Sequence, residues 1–202
     1  MPRLGAVLLA AGASRRFGDA NKLTAEIGGR PLIRVTAEQI MGAGIAEIVV
    51  VTGWDRPSVE AALQGLELRF AHNPNWSDGM GSSIAAGIAE LSPELDGALI
   101  VPGDMPLLTS ALIGELVAKF DDDDARPIVF PATKSGEQRN PVLWPRRCFP
   151  LLASLGGPEG GKRLLRSLGE SCVAVPVRDE GQLLDIDEVA DLERAIKPDD
   201  SH

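Results

Sequence analysis

The sequence predicts a three-layer α/β domain on a doubly wound, mostly parallel sheet. Three observations carry this expectation. Short β-branched apolar runs alternate with helix-like segments along the chain. Several of these runs are apolar throughout rather than alternating, as strands buried on both faces require. The length of 202 residues suits one α/β unit. A single domain over residues 1–196 is therefore expected, with residues 197–202 read as a disordered tail.

The predicted strands are Leu4–Ala10, Ile45–Thr52, Leu66–Ala71, Gly97–Val101, Ile128–Phe130 and Cys172–Val177. Helical patterns fall between them, over Pro31–Met41, Pro57–Leu63, Ser82–Leu91, Ser110–Phe120, Gly161–Leu168 and Val189–Ile196. Pro57 suits a first helical turn, and Thr109 or Ser110 supplies a cap. Val142-Leu143-Trp144 is bracketed by Pro141 and Pro145. Because proline cannot donate to a ladder, this segment is expected in a small hairpin or subsheet beside the main sheet. The carboxylate run Asp121–Asp124 lacks the glycine and glutamate spacing of an EF-hand and reads as a loop.

Composition narrows the function. With 20 Lys plus Arg against 29 Asp plus Glu, the net charge is −9, which argues against a nucleic-acid partner. Any anionic substrate then needs a local basic cluster. Two cysteines, Cys148 and Cys172, make neither a disulfide framework nor a Cys-rich zinc site. Two histidines, His72 and His202, exclude a His-rich metal centre. No cleavable leader follows Met1, and no run approaches the ~18–20 apolar residues of a membrane span, so a cytoplasmic location is expected.

The first loop supplies the basic cluster. Leu9, Ala10, Ala11 and Gly12 end the first strand, and Ser14, Arg15, Arg16 and Lys22 follow. Small residues at the carboxyl end of a parallel strand let backbone amides approach a ligand, at the edge where open α/β sheets bind. Amides and three cations together describe a polyphosphate cradle. The loop is neither a Walker A sequence nor a Gly-x-Gly-x-x-Gly fingerprint. The plain alternative is a glycine turn with solvated arginines; the cation spacing favours the cradle.

Leu9-Ala-Ala-Gly-x-Ser-x-Arg-Phe-Gly…Lys22 resembles the signature loop of the nucleotidyltransferases that attach a nucleotide to the molybdenum cofactor. Asn73-Pro-Asn-Trp-Ser-Asp-Gly-Met-Gly-Ser-Ser83, Pro102-Gly-Asp-Met-Pro106, Arg139-Asn-Pro-Val142, Gly160-Gly-Lys-Arg163 and Asp185-Ile-Asp187 match in order, over residues 4 to 192. The resemblance implies a Rossmann-like nucleotidyltransferase fold. Leu9-Ala-Ala-Gly and Asn73-Pro-x-Trp…Gly-Met are similar to the cytidylyltransferase branch, which joins CMP from CTP to molybdopterin. The guanylyltransferase branch has Leu-Ala-Gly-Gly, whereas the three-residue spacing between Gly18 and Lys22 is of the guanylyl kind.

Asp104 ends an apolar strand in Gly-Asp, at the edge where a phosphate-bound magnesium ion needs one or two carboxylates. Asp185 and Asp187 are spaced to share one side of an extended segment. Asp187 also stands where it could cap a helix. The resemblance pairs Asp187 with Asp104 on Mg2+ and gives Arg16 and Lys22 the leaving pyrophosphate. Gly79, Ser82 and Ser83, at a helix entrance, are candidate nucleotide contacts. Arg139, Asn140 and Lys162 are candidate contacts to a phosphorylated acceptor, and Arg163 is a further basic neighbour. The family motifs read Gln138-Arg139-Asn140 and Gly157-Pro-Glu-Gly-Gly-Lys162 here, departures that bear on the acceptor.

The expected reaction needs no general base, because a phosphate monoester is already an anionic nucleophile. A GTP-dependent enzyme, another phosphorylated acceptor, and a carrier or NAD(P)H-dependent reductase on the same scaffold are the alternatives. A molybdoenzyme or chaperone is a candidate protein partner.

Overall fold

The computed structural model describes residues 1–14, 17, 21–122, 126–158, 160–169, 172–188 and 190–192. The sheet contains β1 (Leu4–Ala10), β4 (Glu47–Thr52), β5 (Arg69–His72), β6 (Gly97–Pro102), β7 (Ile128–Ala132), β8 (Val142–Pro145) and β9 (Cys172–Pro176). Its seven strands run in the order β5-β4-β1-β6-β8-β7-β9. A separate two-stranded hairpin pairs β2 (Glu26–Ile27) with β3 (Arg30–Pro31). No helix among the described residues is long and apolar enough to cross a membrane.

The continuous apolar character of β1 follows from its position. Leu4, Ala6, Leu8 and Ala10 enter the core on one face, and Val7 enters it on the other. On the first face pack α1 (Leu32–Gly42), α2 (Arg56–Ala62) and α4 (Ser110–Asp121), through Leu32, Val59 and Leu112. On the second pack α3 (Met80–Glu90), α5 (Phe149–Ala153) and α6 (Lys162–Ser167), through Ile84, Leu152 and Leu165. The expected three layers are therefore present. Thr109 caps α4, its hydroxyl accepting from the Leu112 N–H at 3.2 Å. Pro57 sits in the first turn of α2.

One strand corrects the sequence reading. Val142–Pro145 lies inside the main sheet, antiparallel to both β6 and β7, and not in a subsheet beside it. The proline argument fails because the prolines flank the strand: Val142, Leu143 and Trp144 keep their N–H groups, and Arg146 N–H donates to Asp96 O at 2.9 Å beyond Pro145. The small hairpin lies instead at Glu26–Pro31.

β1 pairs with β4 on one side and β6 on the other, both parallel. The chain leaves β1 toward β4 and returns across it to reach β6, so the strand order reverses between β1 and β6. A doubly wound sheet binds ligands outside the carboxyl ends of its strands at such a reversal. Because β8 runs the opposite way, its beginning, not its end, lies at this edge. The reversed strand thereby brings Asn140 and its neighbours to the edge where β1 and β6 deliver Gly12 and Asp104. The expected helix at Val189–Ile196 lies largely outside the described residues, as do the tail 197–202 and Asp123 and Asp124 of the carboxylate run.

Candidate active site

Three segments far apart in sequence converge at the β1–β6 edge. Lys22 Nζ donates to Asp104 Oδ2 at 2.5 Å and to Asp187 Oδ1 at 3.0 Å. Asn21 precedes the 3-10 turn Lys22–Thr24, its side chain accepting from the Leu23 N–H at 3.0 Å, and Leu23 is buried in the core. Asp104 follows β6 in the turn Gly103–Asp104. Ile186 N–H donates to Asp104 O at 2.9 Å, which holds the Asp185–Asp187 segment alongside. Asp191 reaches back to the start of this segment, its carboxylate accepting from the N–H groups of Asp187 and Glu188 at 3.0 and 2.9 Å, the return half of a capping box.

Two cavities meet at this cluster. The first, about 500 Å³, is bordered by Ala11–Ser14, Lys22, Trp76, Ser77, Gly79 and Ser83. The second, about 380 Å³, has an apolar wall of Ile84, Ile100, Val142, Trp144 and Leu165, with polar groups from Gln138, Asn140, Lys162 and Asp185. Leu9, Met80, Pro102, Asp104, Pro158 and Asp187 border both. They form one cleft, with the carboxylates at its waist.

The predicted site residues separate by what they touch. Leu9, Gly12, Ser14, Lys22, Gly79, Ser83, Asp104 and Asp187 line the first cavity, and Asn140 and Lys162 line the second. Ser14 is held at a positive φ of 48° and accepts from the Phe17 N–H at 2.8 Å, a strained turn of the kind found at binding loops. Ala10 is packed into the core. Ser82 lies outside the lining; its hydroxyl donates toward Asn75 O and Gly79 O, each at 2.9 Å. Arg139 donates to Glu137 Oε2 at 3.2 Å and borders a third crevice with Thr133, Glu180, Asp185 and Asp187. His72 is exposed at the end of edge strand β5. Arg15 and Arg16, expected on the phosphates, lie outside the described residues.

The loop before α3 owes its shape to Asn73, which is buried. Its amide donates to Ser82 Oγ at 2.9 Å and Ser83 Oγ at 3.0 Å, and its side-chain oxygen accepts from the Asn75 N–H. Gly79, at φ 108°, touches the backbone of Gly157 and Pro158, and Gly81 N–H donates to Gly157 O at 3.0 Å. A Cβ on Gly79 would lie 2.7 Å from those backbone atoms, so glycine is required there. The first N–H groups of α3 are thus partly engaged by the chain itself. The place of Met80 and Pro158 on the border of both cavities had no signal in the sequence, where neither residue carries charge.

Electrostatics mark the waist. Burial pulls the Lys22 ammonium down, but the charge and hydrogen bond of Asp104, with those of Asp187, outweigh it and hold the group above the ordinary lysine value. Burial, followed by the charges of Asp104 and Asp187, pushes the Asp185 carboxyl up to about 6. A carboxyl that ionises less readily in the folded chain contributes most favourably at low pH, and that contribution is lost as pH rises from 3.8 through about 6. Asp185→Asn is therefore expected to stabilise the metal-free protein by about 1–2 kcal/mol at pH 8, discounted for partial exposure, with no gain at pH 4. Urea denaturation at the two pH values checks it; an equal effect at both would show that ionisation of Asp185 is not the cause.

The donor set fits a hard cation shared with phosphate. Asp104 Oδ1 and Asp185 Oδ1 are buried without a hydrogen-bond partner. Among the described residues no group of three or more His, Cys, Asp or Glu is arranged to hold a metal unaided. Magnesium bound through phosphate needs only one or two carboxylates, which Asp104 and Asp187 can supply.

Residues 6–172 match the MobA-like NTP transferase domain. Nicotine blue oxidoreductase of Paenarthrobacter nicotinovorans is 28% identical over 97% of this chain and 98% of its own. Purine catabolism protein PucB of Bacillus subtilis is 30% identical over 92% of each. A probable molybdenum cofactor guanylyltransferase of Haloferax mediterranei is 33% identical over 56% of this chain and 53% of its own. Among solved structures, a nucleotidyl transferase from Methanothermobacter thermautotroptrophicus superposes with a TM-score of 0.82 at 22% identity, covering 95% of each chain. That likeness establishes the shared Rossmann-like architecture.

Proposed function

The chain belongs to the MobA-like NTP transferase domain family, and from that premise we propose that it transfers CMP from CTP to the terminal phosphate of molybdenum-loaded molybdopterin, releasing pyrophosphate. The observation that carries this reading is the Lys22–Asp104–Asp187 cluster at the waist of a two-part cleft. One cavity takes the triphosphate and the other the acceptor, so the reacting phosphates meet at the cluster. The acceptor phosphate oxygen attacks the α-phosphorus in line, the bond from that phosphorus to the bridging oxygen breaks, and both electrons leave with pyrophosphate.

Catalysis in this scheme is positioning and charge neutralisation. Asp104 and Asp187 would hold Mg2+, which would supply positive charge to the reacting phosphate. Lys22, with Arg15 and Arg16 of the same loop, neutralises the triphosphate and the departing pyrophosphate. Leu9, Gly12, Ser14, Gly79 and Ser83 shape the nucleotide half. Asn140 and Lys162 face the acceptor, while Trp144 and Val142 give its ring system a flat apolar wall. The choice of CTP is supported by Ala11, where the guanylyl branch has glycine. Ala11 borders the first cavity, while its side chain, 4% exposed, packs into the core beside Gly53.

Full-length similarity to nicotine blue oxidoreductase favours a second reading, reduction of a flat heterocycle in the Trp144 cavity by NAD(P)H. Two assays separate them: pyrophosphate release with magnesium, molybdenum-loaded molybdopterin, and CTP, GTP, ATP or UTP separately, and oxidation of NAD(P)H in the presence of a flat heterocycle. Release with CTP alone is expected. Preference for GTP would replace the base, and no release with any triphosphate, together with NAD(P)H oxidation, would replace the reaction.

A further inference from the structure

The position of Lys22 has a consequence for how the site is loaded, one that rests on the reading of Asp104 and Asp187 as carboxylates for a phosphate-bound cation. Lys22 Nζ lies between the two, 2.5 Å from Asp104 Oδ2 and 3.0 Å from Asp187 Oδ1. A cation bridging Asp104 Oδ2 and Asp187 Oδ1 needs the place that the ammonium holds. The Lys22 and Asp104 side chains are only 15% and 16% exposed, so water screens the contact weakly. A divalent ion arriving alone would meet a full positive charge seated on its own ligands.

The backbone under Lys22 is fixed. Asn21 accepts from the Leu23 N–H, its amide donates to Asp55 Oδ2 at 3.2 Å, and Leu23 is 4% exposed in the core. The flexible side chain is not fixed, and Lys22 also borders the first cavity, beside Gly12 and Ser14. Rotation of its methylene stem would turn the ammonium from the carboxylates toward a polyphosphate in that cavity. In the first position the ammonium neutralises Asp104, whose side chain is mostly buried; in the second it would neutralise phosphate charge.

We propose that Lys22 is an exchangeable internal cation: it occupies the Asp104–Asp187 pair until a triphosphate draws it away, so that divalent metal and triphosphate enter as a couple. In the free protein the ammonium keeps the carboxylates paired. With a triphosphate bound, the same group is delivered to the phosphates and its former place opens to the metal. The coupling is reciprocal, each ligand raising the affinity of the other by the same factor.

The test is titration of Mn2+ by electron paramagnetic resonance, without acceptor, on wild type, Lys22→Met and Lys22→Arg, with folding checked by circular dichroism. Without triphosphate, Lys22→Met is expected to bind Mn2+ at least about tenfold more tightly than wild type. Lys22→Arg, which keeps the cation, is expected to stay as weak as wild type. Equal Mn2+ affinity in wild type and a folded Lys22→Met overturns the exchange while leaving the transfer reading standing. Wild type binding Mn2+ alone as tightly as with CTP overturns it whether or not the variants fold. No Mn2+ binding by any form, with or without CTP, overturns both the exchange and the metal reading beneath it.

Discussion

Asp104→Ala is expected to lower CMP transfer at saturating CTP and acceptor by at least about 100-fold. The substitution removes the carboxylate with the buried unpartnered oxygen and the shorter of the two contacts to Lys22. It leaves the fold little changed, because the bond that Asp104 makes to the neighbouring segment runs from the Ile186 N–H to the backbone carbonyl, which alanine keeps. The loss should fall on kcat more than on KM, since the charge matters most when it opposes negative charge on the transferring phosphate. Steady-state pyrophosphate release checks this. A loss below about tenfold would remove Asp104 from the chemistry.

Trp144→Ala is expected to cost about 3–5 kcal/mol of stability, the range for emptying a buried aromatic position. Trp144 is 1% exposed, stands opposite Ala98 on β6, and approaches Gly161 so closely that a Cβ there would lie 3.0 Å from its ring. Its other side forms part of the wall of the second cavity. Trp144→Phe conserves most of the apolar volume and is expected to cost about 1.5 kcal/mol or less, while raising the acceptor KM. Urea denaturation and acceptor titration of the two variants check both effects. A cost below about 1 kcal/mol for alanine would mean that the surrounding side chains collapse into the space.

Burial on both faces made the central sheet readable before any coordinates. β1 falls at Leu4–Ala10 as expected, and β4 and β6 shift by no more than two residues at an end. β5 begins at Arg69 rather than Leu66 because Leu66 and Leu68 pack against the core from the turn that precedes it. α5, five residues entered by Pro150, is too short to show a helical period and was not foreseen. The reversal of β8 was illegible because two prolines outweighed the three apolar residues between them. In the cleft, Asp104 was legible at the end of an apolar strand and Lys22 in the basic loop after β1, while the family resemblance singled out Asp187. Their convergence across 82 and 165 residues is a property of strand order, which no local pattern encodes. The turning of Ser82 toward Asn75 and of Arg139 toward Glu137 was equally hidden, since both depend on which neighbours the folded chain supplies.

The contact of Gly79 and Gly81 with residues 156–158 works as a caliper. On one jaw is the entrance to α3, bordering the nucleotide half; on the other is the loop that leads to Lys162 in the acceptor half. Backbone meets backbone with no side chain between, so the opening of the jaws is set by the thickness of the polypeptide itself and is not adjustable by rotamers. In the proposed reaction, two substrates seated in the halves would be gauged to one separation. Since an ångström of misplacement can cost about 100-fold in rate, that fixed spacing would bear directly on the proposed transfer.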